Sequence, residues 1–133
     1  MWYMRHPLVK DTVDGLVKLR KEINMLANRR KVEQVGMEKN PNGATPSQVK
    51  ALTDEFRQDL VKFSEWRTWL EESKIELEKL RSESFPYPSL QWDVSLVLSV
   101  IQHYLKGITF LENDRIQTLG VFKEWMNGHD SSR

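Results

Sequence analysis

Cysteine is absent from the 133 residues. That excludes disulfides, thiolate nucleophiles and cysteine-ligated zinc or iron–sulfur sites, and it favours a reducing compartment. An excess of either charge is missing too. The chain sets 20 basic against 19 acidic residues, a net +1, so no whole-molecule field draws in nucleic acid or an anionic membrane. Long uncharged runs are also lacking: the longest in the apolar region, Val94 to Leu105, falls short of the roughly 20 residues that cross a bilayer. Residues 1 to 7 lack the basic start and apolar centre of a secretory signal. A soluble, cytoplasmic protein without membrane association is therefore expected.

Prolines are few, and each marks a boundary. Pro7 suits the first position of a helix, where its missing N–H is no loss, and Asp11 and Asp14 lie near that positive end. The first helix is expected from about 7 to 37, with an apolar stripe at Val9, Val13, Leu16, Leu19, Ile23 and Leu26 that fades through Arg29, Arg30 and Lys31. Turn-forming residues follow at 39–44. Thr45-Pro46-Ser47-Gln48 then has the form of a capping box, with Thr45 as cap and Gln48 reaching back. The second helix, about 46 to 81, carries Val49, Leu52, Phe56, Leu60, Phe63, Trp66, Leu70, Leu77 and Leu80 on one stripe. Pro86 and Pro88 disfavour helical geometry in the residues before them and end it.

The third helix, about 90 to 127 with Ser89 as cap and Gly128 at its close, organises the rest. Leu90, Val94, Val97, Ile101, Tyr104, Ile108, Leu111, Phe122 and Trp125 follow steps of three and four. Leu96, Leu98, Val100, Leu105 and Phe110 widen the stripe, which predicts contact with more than one neighbour. Gly107 and Gly120 weaken a helix interior, but the stripe keeps its phase across them and one continuous helix is expected. Three long helices with short connections predict an all-α protein, a single domain over 1–133, folded as an elongated antiparallel up-down-up three-helix bundle with coiled-coil-like packing.

Three groups of residues are candidates for function. Trp69 and Trp92 lie off the apolar stripes, while Phe122, Trp125 and Met126 lie where the first helix has lost its stripe; all five are candidate partner-binding residues, because large rings outside a core are common anchors. Lys18, Lys21, Arg29, Arg30 and Lys31 form a candidate nucleic-acid face, since residues 1 to 39 carry nine basic against five acidic residues. Carboxylates gather at Glu71, Glu72, Glu76 and Glu78, with Asp93, Glu112 and Asp114 further on. All-helical nucleoside triphosphate pyrophosphatases of the MazG type hold magnesium with acids at three-residue spacing on two helices. This chain departs from that pattern, with Leu90 three positions before Asp93.

His6, His103 and His129 have no partner at metal-ligand spacing, and neither a nucleophilic triad nor a glycine-rich phosphate loop is present. The residues thus lead to a non-catalytic, cofactor-free helical interaction module that binds itself or another helical protein. A nucleic-acid-binding bundle is the alternative, and a metal-dependent enzyme comes third.

Overall fold

In the computed structural model the chain forms three helices, α1 (Pro7–Lys39), α2 (Pro46–Glu83) and α3 (Pro88–Ser131). The structure describes residues 6–39, 45–84 and 87–131, with side chains described outside 30–39 and 129–131. Neither strands nor cis peptide bonds occur among the described residues. The all-α three-helix bundle expected from the periodicity is what forms.

The capping box at the start of α2 is complete. The Gln48 amide donates to the Thr45 hydroxyl at 3.2 Å, and the Thr45 amide donates to the Gln48 side-chain oxygen at 3.0 Å. Two orphan amides are satisfied and Pro46 needs none. At the other end of α2, Ser84 closes the helix: its amide bonds the Leu80 carbonyl at 2.9 Å, and its hydroxyl bonds that of Arg81 at 3.1 Å. The Arg81 carbonyl also accepts from the Gln91 side chain at 3.2 Å, which ties the end of α2 to the start of α3.

α1 and α2 each end two residues later than expected, at Lys39 and Glu83, and both boundaries of α3 shift. Ser89 is not the cap of α3, because Pro88 takes the first helical position and the Tyr87 carbonyl already accepts the Gln91 amide at 3.1 Å. Gly128 does not stop the helix in a left-handed turn either: among the described residues no glycine has a positive φ, and α3 continues to Ser131. The helix is continuous through Gly107, Asn113 and Gly120. At 44 residues it is about 66 Å long.

The three helices do not share the packing equally. α2 and α3 run antiparallel and approach each other along most of their lengths, while α1 meets each of them less extensively. Cross-links between Gln91 and Arg81, Arg67 and Thr109, Asp59 and Arg115, and Phe122 and Phe56 mark out the α2–α3 hairpin. The centre of the core consists of Phe63, Leu70 and Leu77 of α2, Val94, Ile101 and Ile108 of α3, and Val9 of α1, all without solvent exposure. Leu16, Leu19 and Leu26 extend the α1 contribution, with Leu8, Val13 and Ile23 partly buried against the core beside them. Beyond Leu26, Ala27, Asn28 and Arg29 are exposed, and the α1 side chains from 30 onward lie outside the described residues.

Gly15 lets α1 lie close. A Cβ built there would fall 2.4 and 2.6 Å from ring carbons of Trp69, so the indole rests directly on the α1 backbone. Substituting alanine normally gains about 1 kcal/mol at a helical glycine, but this ring is held by the core and has little freedom to yield. Gly15→Ala is expected to lower stability by about 1 to 3 kcal/mol, and an unfolding midpoint at or above the wild-type value would contradict the close approach. Thr45→Ala should cost about 1 kcal/mol through loss of the cap, measured by chemical denaturation, with backbone chemical shifts showing fraying confined to the first turn of α2.

Candidate interaction surface

α3 has two apolar faces on opposite sides. One carries Val94, Val97, Leu98, Ile101, Leu105 and Ile108 into the core. The other begins at Trp92 and follows helical steps of three and four through Leu96, Val100, His103, Gly107 and Phe110, then continues past Asp114 to Val121 three turns on. This outer face is bare. Trp92 is 72 %, Leu96 58 %, Phe110 71 % and Val121 62 % exposed, on a strip about 44 Å long. Scattered exposed hydrophobic residues are ordinary, but here Trp92, Leu96, Val100, Phe110 and Val121 share one side of one helix, interrupted by His103, Gly107 and Asp114.

Gly107 sits in the middle of this strip. A Cβ there would meet nothing within 4 Å, so unlike Gly15 this glycine has no packing reason within the chain. It forgoes about 1 kcal/mol of helix stability relative to alanine. Lys106 flanks the strip and Asp114 lies on it. The Asp114 carboxylate accepts from Arg115 Nη1 at 2.8 Å and remains half exposed.

The remaining anchor residues divide. Trp92 lies at the head of the strip. Trp69 is partly buried against the core and covers Gly15, so its ring is used within the chain. Phe122, Trp125 and Met126 are half-buried, and Phe122 tilts against Phe56 of α2 with 5.5 Å between ring centroids. Sequence reading placed Leu96, Val100 and Phe110 in a widened core stripe and so missed them as a surface. Their phase signals it: 96 and 110 stand nearly opposite 101 and 105 around the helix, with 100 on the flank between the two faces.

The basic residues of α1 do not converge on one purpose. Lys18, Lys21 and Arg29 are exposed on one side of the helix, with Asp11, Asp14 and Glu22 interleaved on that same side. The side chains of Arg30 and Lys31 lie outside the described residues. The acids do not converge either, and no three His, Asp or Glu side chains among the described residues could together hold a metal ion. Glu72 and Glu76 face solvent while Ser73 between them is buried. Glu112 pairs with Arg67.

A buried ion pair holds the distal half of the hairpin. Asp59 is 1 % and Arg115 7 % exposed. Arg115 Nε donates to Asp59 at 3.4 Å while its guanidinium carbon lies 4.8 Å from the centre of the Phe56 ring. One guanidinium thus joins Asp59, Asp114 and an aromatic face. Near the other end, Asp93 Oδ2 is shielded from solvent without a hydrogen-bond partner, as is His6 Nδ1. Desolvation raises the Asp93 carboxyl above the ordinary 3.8. Its protonated form is favoured by the fold, so its contribution to stability declines as pH rises from about 4 through the raised value.

The uncharged run is short, but once Lys106 is admitted within it, α3 is long and apolar enough to cross a bilayer by length and composition, with mean hydropathy 1.4 and 28 % of that window buried. The core helix of a bundle meets the same description. In this fold the apolar residues of α3 are divided between the core and the outer strip.

No protein-family model matches this chain, and no curated protein or solved structure does either.

Asp59→Leu should cost about 3 to 5 kcal/mol because it leaves the Arg115 charge buried beside Asp114 alone, whereas Asp59→Leu with Arg115→Met should recover most of that loss. A double-mutant cycle in denaturant measures it. Additive costs would show that the two charges act independently.

Proposed function

We propose that the chain is a non-catalytic helical interaction module whose binding surface is the outer face of α3. The single observation that carries this reading is the line of exposed apolar side chains from Trp92 through Leu96 and Phe110 to Val121 on a helix whose opposite face already fills the core. Burial of such a strip is favourable at about 25 cal/mol per Å² of apolar surface. The anchors are large: an aromatic ring at Trp92, another at Phe110, and aliphatic side chains between them, the composition that concentrates binding energy at interfaces. Helix-on-helix packing suits a straight apolar strip of this kind, in which side chains three and four residues apart make ridges for a partner's grooves. The half-buried Trp125 and Met126 extend the surface toward the C-terminal end of α3.

The α1 cations do not favour nucleic acid to the same degree, because acids interrupt them on their own face. In the same way, dispersed carboxylates do not favour a metal-dependent reaction, which requires convergent ligands.

The test is quantitative affinity capture with tagged wild-type protein and a Leu96→Asp/Phe110→Asp variant of equal helix content, scoring both other proteins and untagged copies of this chain. Both sites are exposed, so the variant is expected to fold. Recovery of at least one bound protein should fall about tenfold, equivalent to roughly 1.4 kcal/mol. Identical recoveries for the two baits would overturn the proposed surface.

A further inference from the structure

We infer that the occupant of this surface is a second copy of the chain, with the two α3 helices antiparallel about a twofold axis at Phe110. The inference rests on the reading of α3 as the binding face and names its partner.

The argument is one of register. If Phe110 lies opposite Phe110 of the second copy, residues whose numbers sum to about 220 face each other. Val100 then meets the Gly120–Val121 step, Leu96 meets Glu124–Trp125, His103 meets Gln117 and Trp92 meets Gly128. Lys106 comes opposite Asp114, and the symmetry makes that pair twice. The one acid on the strip is thus matched by the nearest base at both ends. Asp114 keeps acceptor capacity for it, being half exposed with Arg115 Nη1 on one carboxylate oxygen.

Other arrangements match less well. Parallel helices in register set Asp114 against Asp114 and Lys106 against Lys106. An antiparallel register shifted by two turns, with Gly107 on the axis, opposes Val100 with Asp114 and Leu96 with Gln117 or Thr118, which desolvates a carboxylate against apolar side chains. The register at Phe110 sets Phe110 on Phe110, brings Val100 and Leu96 within one residue of Val121 and Trp125, and puts base on acid. Gly107 then faces the segment at Asn113, where its missing side chain gives the second helix room beside the Lys106–Asp114 pair.

A strip about 44 Å by 10 Å is small for a permanent dimer, for which each partner contributes about 800 Å². The association is therefore expected in the micromolar range. A lipid surface is less favoured, because α3 carries five acidic against three basic residues and its flanks have no band of Lys or Arg to meet anionic headgroups.

The experiment uses full-length protein in sedimentation velocity from about 1 to 200 µM, with circular dichroism as the folding control. Wild-type protein should dimerise. Lys106→Glu and Asp114→Lys should each weaken dimerisation about tenfold. The double variant Lys106→Glu/Asp114→Lys should return to within about threefold of wild type, and so should an equimolar mixture of the two single variants, in which every 106–114 contact again has opposite signs. In parallel, all proteins are mixed with vesicles of neutral phosphatidylcholine and of a phosphatidylserine mixture, with no binding expected.

A monomeric wild-type chain at 200 µM overturns the inference, and so does a double variant no better than the single ones. Vesicle binding that depends on Phe110 in a monomeric chain assigns the face to lipid and overturns it as well. If the chain is monomeric yet the Leu96→Asp/Phe110→Asp bait still loses a different protein in affinity capture, the second-copy inference fails and the interaction-module reading stands.

Discussion

The antiparallel packing of α2 on α3 is the interaction on which the rest of this structure depends. Phe63, Leu70 and Leu77 on one helix and Val94, Ile101 and Ile108 on the other are withdrawn from water, and most of the connecting hydrogen bonds and ring contacts join these two elements. α1 adds a third wall through Val9, Leu16, Leu19 and Leu26. It leans on a pair that is already matched, and Gly15 under Trp69 sets how closely it lies. Isolated helices are marginal in water, so this apolar seam rather than intrinsic propensity is what sustains helices of 38 and 44 residues.

Polar groups are kept inside the hairpin where they define its register. The Asp59–Arg115 pair, with Phe56 under the guanidinium, contributes little net stability compared with a well-packed apolar alternative. It does penalise a slipped α2–α3 alignment, which would leave either charge buried alone. Arg67 with Thr109 and Glu112 adds a second fixed point about two turns along α2. The hairpin is consequently specified by charge as well as by shape, and that alignment holds the outer face of α3 toward solvent.

A helix with two apolar faces creates a conflict in a three-helix bundle. α1 and α2 cover only the inner face, so the outer one stays wet or finds a partner. Its exposed line from Trp92 to Val121, the glycine at 107 with open space above it, and the matched signs of Lys106 and Asp114 are the features from which a partner surface is argued. Catalytic chemistry finds no comparable convergence of groups among the described residues.

The sequence by itself determined the helices and their order, because these depend on local physics. The spacing of apolar residues, the Thr45–Gln48 cap and the prolines at 46, 86 and 88 act within a few positions of themselves. The helix ends are less local: α1 and α2 each run two residues past the expected bound, Pro88 offers α3 a better first position than Ser89, and α3 continues beyond Gly128. The side of α3 that is buried was beyond that local reading. Leu96 and Phe110 are as hydrophobic as Val94 and Ile108, and nothing but the position of α2 and α1 distinguishes the covered face from the bare one. The same holds for Gly15 and Gly107, two helical glycines of which one lies beneath an indole and the other faces open space. It holds again for Asp59 and Arg115, which are 56 positions apart and whose pairing exists only once the hairpin has closed. Such pairings and exposures are properties of distances between elements, and tertiary packing alone decides those.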